Sequence, residues 1–190
     1  MQENHYLVPI HQQGPKTDLE HNISALTIED AEYRFVDAKD RLMDINSWNK
    51  YCPAISVEFL LTDSRGMGVR RHARKGDFIR MNIRGMNSAA ANFEWVFVEA
   101  IEYDDYPDLS METFALWVRV TDDPLSIKDK HKDRMVNGVT LTFVIERRAT
   151  KLLASYHGRN GFDKTSDKAS DKLLGLPDTE WSGLVKGLLG

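Results

Sequence analysis

Cysteine is almost absent. Cys52 is the only one in 190 residues, which excludes an intramolecular disulfide and a thiolate metal cluster. A lone cysteine after a helix is expected to pack as a small apolar residue. No apolar run approaches the roughly 20 residues that cross a bilayer. The opening MQENHYLVPIHQQGPK has no charged region followed by an apolar core, so neither a cleaved leader nor a membrane partner is expected, and the expected location is cytoplasmic. A basic excess is missing too: the net charge is −4 and the pI about 5.9, so a nucleic-acid partner is not expected. Signatures of known chemistry are likewise missing. None of His5, His11, His21, His72, His131 and His157 forms the i, i+4 pair of a helical zinc site. No serine sits in a G-x-S-x-G elbow. Lys75-Gly76-Asp77 opens a strand pattern, where a phosphate loop requires more glycines, a Lys-Ser/Thr and a helix. No cofactor or metal is expected.

What remains is ordinary globular composition, 42% hydrophobic and 28% charged, at a length that favours one domain with a full core. Residues 1–23 are polar and irregular and read as an arm, with residues 24–190 as a single domain. Ile28, Ala31, Phe35, Ala38, Leu42 and Ile45 recur at spacings of 3 and 4, one face of an amphipathic helix. Thr27 with Asp30 resembles a capping box at its start, and Pro53 opposes continuation. The period then becomes two. Strands are expected in ISVEFLL, DFIRMNIRG, FEWVFVEAIE, TFALWVRV, VTLTFVIE and KLLASYH, the last pair joined at RRAT. FEWVFVEAIE is apolar on both sides, with Val96, Val98 and Ala100 sharing one of them, as in a strand covered on both faces. Residues 158–172 carry few apolar side chains and are expected to form a long, mobile loop. Near the end, Asp178 is placed to cap a short helix carrying Trp181, Leu184, Val185 and Leu188. Gly183 and Gly187, four apart, mark close packing. The fold expected is α+β: a curved antiparallel sheet or barrel of about six or seven strands, with an N-terminal amphipathic helix and a short C-terminal helix.

Charge is segregated. Arg65, Arg70, Arg71, Arg74, Lys75, Arg80 and Arg84 have only Asp77 among them. Glu94, Glu99, Glu102, Asp104, Asp105, Asp108 and Glu112 follow without a Lys or Arg. The bland expectation is that the two stretches pair across neighbouring strands. The functional alternative is an anion or partner site on the basic strand. The acidic EYDDYPDLSME reads as a hairpin tip, since it lacks the spacing and glycine of a calcium loop.

The segment SYHGRNG, residues 155–161, offers the densest polar chemistry. If Leu152, Ala154 and Tyr156 point inward, Ser155 and His157 point to the other face. Arg159 and Asn160 follow in a turn, where Arg supplies bidentate donors and Asn-Gly supplies positive φ. The candidate ligand-binding residues are therefore His157, Arg159, Asn160, Arg80, Arg84, Trp95 and Trp117, with Phe93 and Phe97 beside the tryptophans. Catalytic residues are not assigned.

SWNKYC, ARKGDFIRMNIRG, FEWVFVEAIE, FVIERRATKLLASYHGRNG and WSGLVKGLL together resemble an uncharacterised family of small bacterial single-domain proteins. That resemblance implies one domain and no activity. The helix with RLMDINSWNKYCP, followed by an antiparallel sheet and a terminal helix, is similar to START-like helix-grip domains, which enclose a ligand between sheet and helix. Against that pattern, no strand is evident before the first helix, and the terminal helix is short and glycine-bearing. The expectation for function is non-enzymatic binding of a protein partner or small ligand. The alternatives are a START-like domain taking a small apolar or anionic ligand, or an enzyme of unrecognised type using His157 as acid/base and Arg159 as anion clamp. A homodimer through Trp48, Trp181 and an apolar edge is a further expectation.

Overall fold

The amphipathic pattern becomes α1, Ile28–Met43. Thr27 caps it, its Oγ1 accepting from the Asp30 backbone N–H at 3.1 Å, which satisfies one of the donors a helix start leaves free. Ala31, Phe35, Ala38 and Leu42 are buried. A single 3₁₀ turn, Ile45–Ser47, and the short α2, Trp48–Tyr51, carry the chain to the sheet. The computed structural model describes residues 7–83, 93–125, 138–160 and 176–190.

Seven strands form one antiparallel sheet in the order β1-β7-β6-β5-β4-β3-β2. They are β1 Thr17–Ser24, β2 Val57–Thr62, β3 Phe78–Ile83, β4 Glu94–Tyr106, β5 Met111–Thr121, β6 Thr140–Arg148 and β7 Lys151–Arg159. The α+β class, the curled antiparallel sheet and the flanking helices are as expected. β1 is not. It lies where the sequence reads as a polar arm, and it pairs with β7 along its whole length. Only Leu19 and Ile23 of β1 reach the core, and that spacing hides a strand. β7 runs to Arg159, so Gly158 and Arg159 belong to the strand and not to the expected loop. Residues 161–172 of that loop lie outside the described residues.

The sheet has an inner face, covered by helices, and an outer face. Val57, Phe59, Leu61, Ile79, Met81, Val96, Val98, Phe114, Leu116, Val118, Leu141, Phe143, Ile145, Leu152, Ala154 and Tyr156 form one core with α1 and the C-terminal helix α3, Asp178–Leu189. Phe143 is its hub. Its ring lies 5.0 Å from Trp48, 5.2 Å from Tyr156 and 6.0 Å from Trp181, and Tyr156 stacks on Trp181 at 4.8 Å. Trp48 and Trp181 are thus core residues, each 2% exposed. The expected dimer contact through them is incompatible with that burial.

α3 starts at Pro177 in the cap position, with Asp178 in its first turn and no side-chain cap bond. Its glycines are contact points. A methyl on Gly187 would lie 2.1 Å from the Tyr51 carbonyl oxygen, and one on Gly183 would lie 2.9 Å from Cys52 Sγ. Ser56 donates from both N and Oγ to Glu180 Oε2, fixing α3 to the start of β2. The edge strand β2 is closed by two asparagines. Leu61 N–H donates to Asn46 Oδ1 at 2.9 Å and Phe59 N–H to Asn49 Oδ1 at 3.3 Å, while Asn49 Nδ2 donates to the Val57 carbonyl. Side-chain amides here occupy the place of a further strand.

In β4 the register shifts between Val98 and Ala100. Val96 and Val98 face inward, but Ala100 turns out and Ile101 turns in, so the three residues expected on one side do not share it. A bulge of this kind inserts one residue and inverts the alternation beyond it.

Candidate functional site on the outer face of the sheet

Register brings the outer-face residues together. Asp18 of β1 lies opposite His157 of β7, His157 opposite Thr142 of β6, and Thr142 opposite Trp117 of β5. At about 4.8 Å per strand, this row spans about 14 Å. The row on one side holds Arg159, Thr140 and Arg119. The row on the other holds Glu20, Ser155, Val144 and Ala115.

The β7 end of these rows is a connected polar chain. His157 Nδ1 lies 2.7 Å from Asp18 Oδ1, and His157 Nε2 lies 3.0 Å from Ser155 Oγ. An ionised carboxylate only accepts, so Nδ1 carries a proton, and in the neutral imidazole Nε2 is then the acceptor for the serine hydroxyl. Arg159 donates to Asp18 Oδ1 and to the Thr17 and Gly158 carbonyls. Lys16 Nζ stands 3.7 Å from the other Asp18 oxygen. Partial burial works to raise the Asp18 carboxyl, but the hydrogen bonds and charges of His157 and Arg159 outweigh it and hold it below its ordinary value. Asn160, at φ 58°, is left-handed, as asparagine tolerates. It closes the strand by accepting from Gln12 N–H at 2.8 Å.

The β5–β6 end is different. The side-chain polar atoms of Thr140, Thr142 and Trp117 are buried, and no hydrogen-bond partner for them is found. Leu7 covers this area. It is 1% exposed and packs with Ala115 and Val144 against Trp117. The segment expected to be a loose arm therefore lies over the sheet, held by Leu7 at one point and by the Gln12–Asn160 bond at another.

The expected site residues thus divide. His157, Arg159, Asn160 and Trp117 come together on the outer face of β5–β7. Arg80 and Trp95 lie opposite each other on β3 and β4, and Trp95 faces Thr121. Thr121 is four residues beyond Trp117, about 13 Å along β5. There the Arg80 guanidinium lies over the Phe93 ring at 4.3 Å, a cation–π contact, and Phe97 packs on Phe78. Arg84 lies outside the described residues. Asp18, Thr140, Thr142 and Leu7 were not singled out from the sequence. The Thr-x-Thr alternation of β6 was the available signal for the threonines. No local pattern could reveal Asp18, whose partner is on the far strand of the chain.

Two carboxylates of the acidic stretch find partners outside the basic one. Glu99 takes both donors of Arg119 on β5, at 2.6 and 2.9 Å. Glu112 accepts from Arg147 of β6 at 2.6 Å and from Tyr103 Oη at 2.9 Å. Burial first, then the Glu112 hydrogen bond and charge, push the Tyr103 hydroxyl up to about 12. In the basic stretch, Arg71 is bidentate with Asp77, at 2.6 and 2.8 Å. Arg70, Arg71 and His72 line an open depression of about 590 Å³ with Asp44, Asn46 and Phe59, so much of the Arg71 charge is already matched within its own loop. Among the described residues, no group of three His, Cys, Asp or Glu is placed to hold a metal ion, and no helix is long and apolar enough to cross a membrane.

No family model matches the chain, and no curated protein matches it. Solved structures do. A hypothetical protein from Helicobacter pylori is similar at a TM-score of 0.50 and 10% identity, over 92% of this chain and 86% of that one. A putative uncharacterised protein from Bacillus thuringiensis is similar at 0.43 and 10%, over 93% of this chain and 100% of that one. The major latex-like protein 151 of Panax ginseng is similar at 0.41 and 9%, over 93% and 97%. The first likeness shows a shared fold. With β1 ahead of α1, six further strands and α3 across the inner face, the element order is that of the helix-grip, START-like layout.

Proposed function

We propose that the protein is a binding protein whose site is the outer face of β5, β6 and β7, and whose ligand is a small molecule with a carbonyl or carboxylate oxygen and an apolar arm. The observation that carries this reading is the group of buried polar atoms without partners, Thr140 Oγ1, Thr142 Oγ1 and Trp117 Nε1. A buried polar group with no hydrogen bond costs about 1–3 kcal/mol, so several on one face favour a partner that supplies acceptors. The indole N–H is a donor only, which fixes the ligand atom opposite it as an acceptor. The apolar arm matches the Ala115–Val144–Trp117 slot that Leu7 fills. On this reading Leu7 is an internal occupant that the ligand displaces.

The test is native mass spectrometry of the full chain purified from its own host, beside the double variant Thr142→Val/Trp117→Phe. The expected result is a small-molecule mass on the wild type and a bare mass for the variant, with unchanged circular dichroism. A bare wild type counts against the reading. So does the same extra mass on both proteins, which would favour a second reading. In that reading the ligand lies between the sheet and α3, where Tyr156 Oη and Trp181 Nε1 are also buried without partners.

A further inference from the structure

Ser155, His157 and Asp18 lie in line on the outer face, and we propose that Ser155 is an acylatable nucleophile there, giving the protein a hydrolytic activity toward small esters with an apolar acyl group. This goes beyond ligand binding and rests on the same site. Three features of the geometry support it. Spacing of two places Ser155 and His157 on one face of β7, with Oγ to Nε2 at 3.0 Å. Antiparallel register sets Asp18 opposite His157, with Nδ1 to Oδ1 at 2.7 Å. The carboxylate thus selects the tautomer in which Nε2 is free to take the serine proton, the relation a nucleophile needs with its base and the base with its orienting acid.

The surroundings suit an ester. Val144 lies opposite Ser155 and Ala115 opposite Val144, so the slot under Leu7 adjoins the hydroxyl and is lined for an acyl chain. Thr142 Oγ1 and Trp117 Nε1, in the neighbouring row, are hydrogen-bond donors without partners. Donors held in advance of the reaction receive the negative charge that develops on the carbonyl oxygen. Arg159 fixes Asp18 from the side away from the acyl slot.

The step balances without any further reagent than water. Ser155 Oγ bonds to the ester carbonyl carbon as its proton passes to His157 Nε2. The carbon–oxygen bond to the alcohol breaks, and the alcohol leaves with that proton. Water then adds to the acyl-serine, again giving a proton to Nε2. The Oγ–carbon bond breaks, Ser155 regains its proton and the carboxylic acid departs. Asp18 stays ionised throughout.

The test uses the full chain with an alkyl fluorophosphonate, which forms an Oγ–phosphorus bond with loss of fluoride. The expected result is one adduct per chain, mapped to Ser155. Labelling is lost in Ser155→Ala, and in His157→Gln it slows by the ~10²–10⁴-fold typical of a general base. It speeds up in Leu7→Ala, which opens the slot. Circular dichroism reports whether each variant is folded. Folded wild-type and Leu7→Ala proteins that both stay unlabelled overturn the proposal. So does labelling of His157→Gln at the wild-type rate. The two readings fail separately: a Ser155→Ala protein that keeps its co-purifying mass, together with an unlabelled wild type, leaves binding standing and removes the nucleophile.

Discussion

On the inner face of the sheet, alternate residues of the strands form one core with α1, α2 and α3, and the burial is that of an ordinary core, close-packed around Phe143. On the outer face of β5–β7 some residues are buried as deeply, others such as Trp117 and His157 only in part, and the chemistry is mixed. Thr142 is fully buried and Thr140 nearly so, beside a segment whose Leu7 is buried against Ala115, Val144 and Trp117. One sheet therefore carries two burials of different quality. The inner one is explained by packing alone, apart from Tyr156 Oη and Trp181 Nε1. The outer one places polar groups where folding has no use for them, and beside them sits the only Asp–His–Ser chain among the described residues. That contrast locates function on the face away from the helices, whereas the helix-grip layout by itself directs attention to the interior.

Mutations of graded effect would break or sharpen the contrast. Phe143→Ala removes the hub of the inner face and should cost about 3–5 kcal/mol, read as a lower urea midpoint with an unchanged slope. Leu7→Ala should cost about 2 kcal/mol, the low end for a buried leucine, because the segment it anchors has no strand partners. If it cost as much as Phe143→Ala, the outer face would be a second core. Thr142→Val goes the other way. Replacing an unpartnered buried hydroxyl by a methyl should raise stability by about 1 kcal/mol in the ligand-free protein, seen as a higher Tm. A clear loss instead would mean that the hydroxyl already has a partner.

The smallest effect concerns Asp18. Its carboxyl is held below its ordinary value of 3.8 in the folded chain. A depressed carboxylate stabilises the fold above its unfolded pKa, and that contribution is lost as pH falls below 3.8 through the folded value. Asp18→Asn should therefore lower stability at neutral pH by no more than about 1 kcal/mol, given the exposure of the group. The difference from wild type should vanish in acid titrations below that range. A difference that persists at low pH would assign the effect to packing.

Much of this architecture was legible because apolar periodicity is a local signal. α1 follows from residues 3 and 4 apart, and β6 from Leu141, Phe143 and Ile145. The same alternation put Ser155 and His157 together on the face away from Tyr156, and Gly183 and Gly187 announced the close approach of α3 to α2. What stayed hidden depends on partners distant in sequence. β1 offers only Leu19 and Ile23 to the core, so TDLEHNIS has the look of a polar arm until it pairs with β7. Asp18 becomes meaningful only through that pairing. The bulge at Glu99 inverts the faces of β4 without any change in composition. Trp48 and Trp181 read as interface candidates because burial inside a core and burial between subunits leave the same mark on a sequence.

The central claim is that the outer face of β5–β7 holds a ligand, and the most direct measurement is a crystal structure of the full chain isolated from its own host. The account predicts connected density larger than a water molecule within hydrogen-bond distance of Thr142 Oγ1 and Trp117 Nε1, reaching toward Ser155, with Leu7 displaced from the Ala115–Val144 slot. Leu7 in its place over isolated waters, or over a dry and close-packed face, would contradict it.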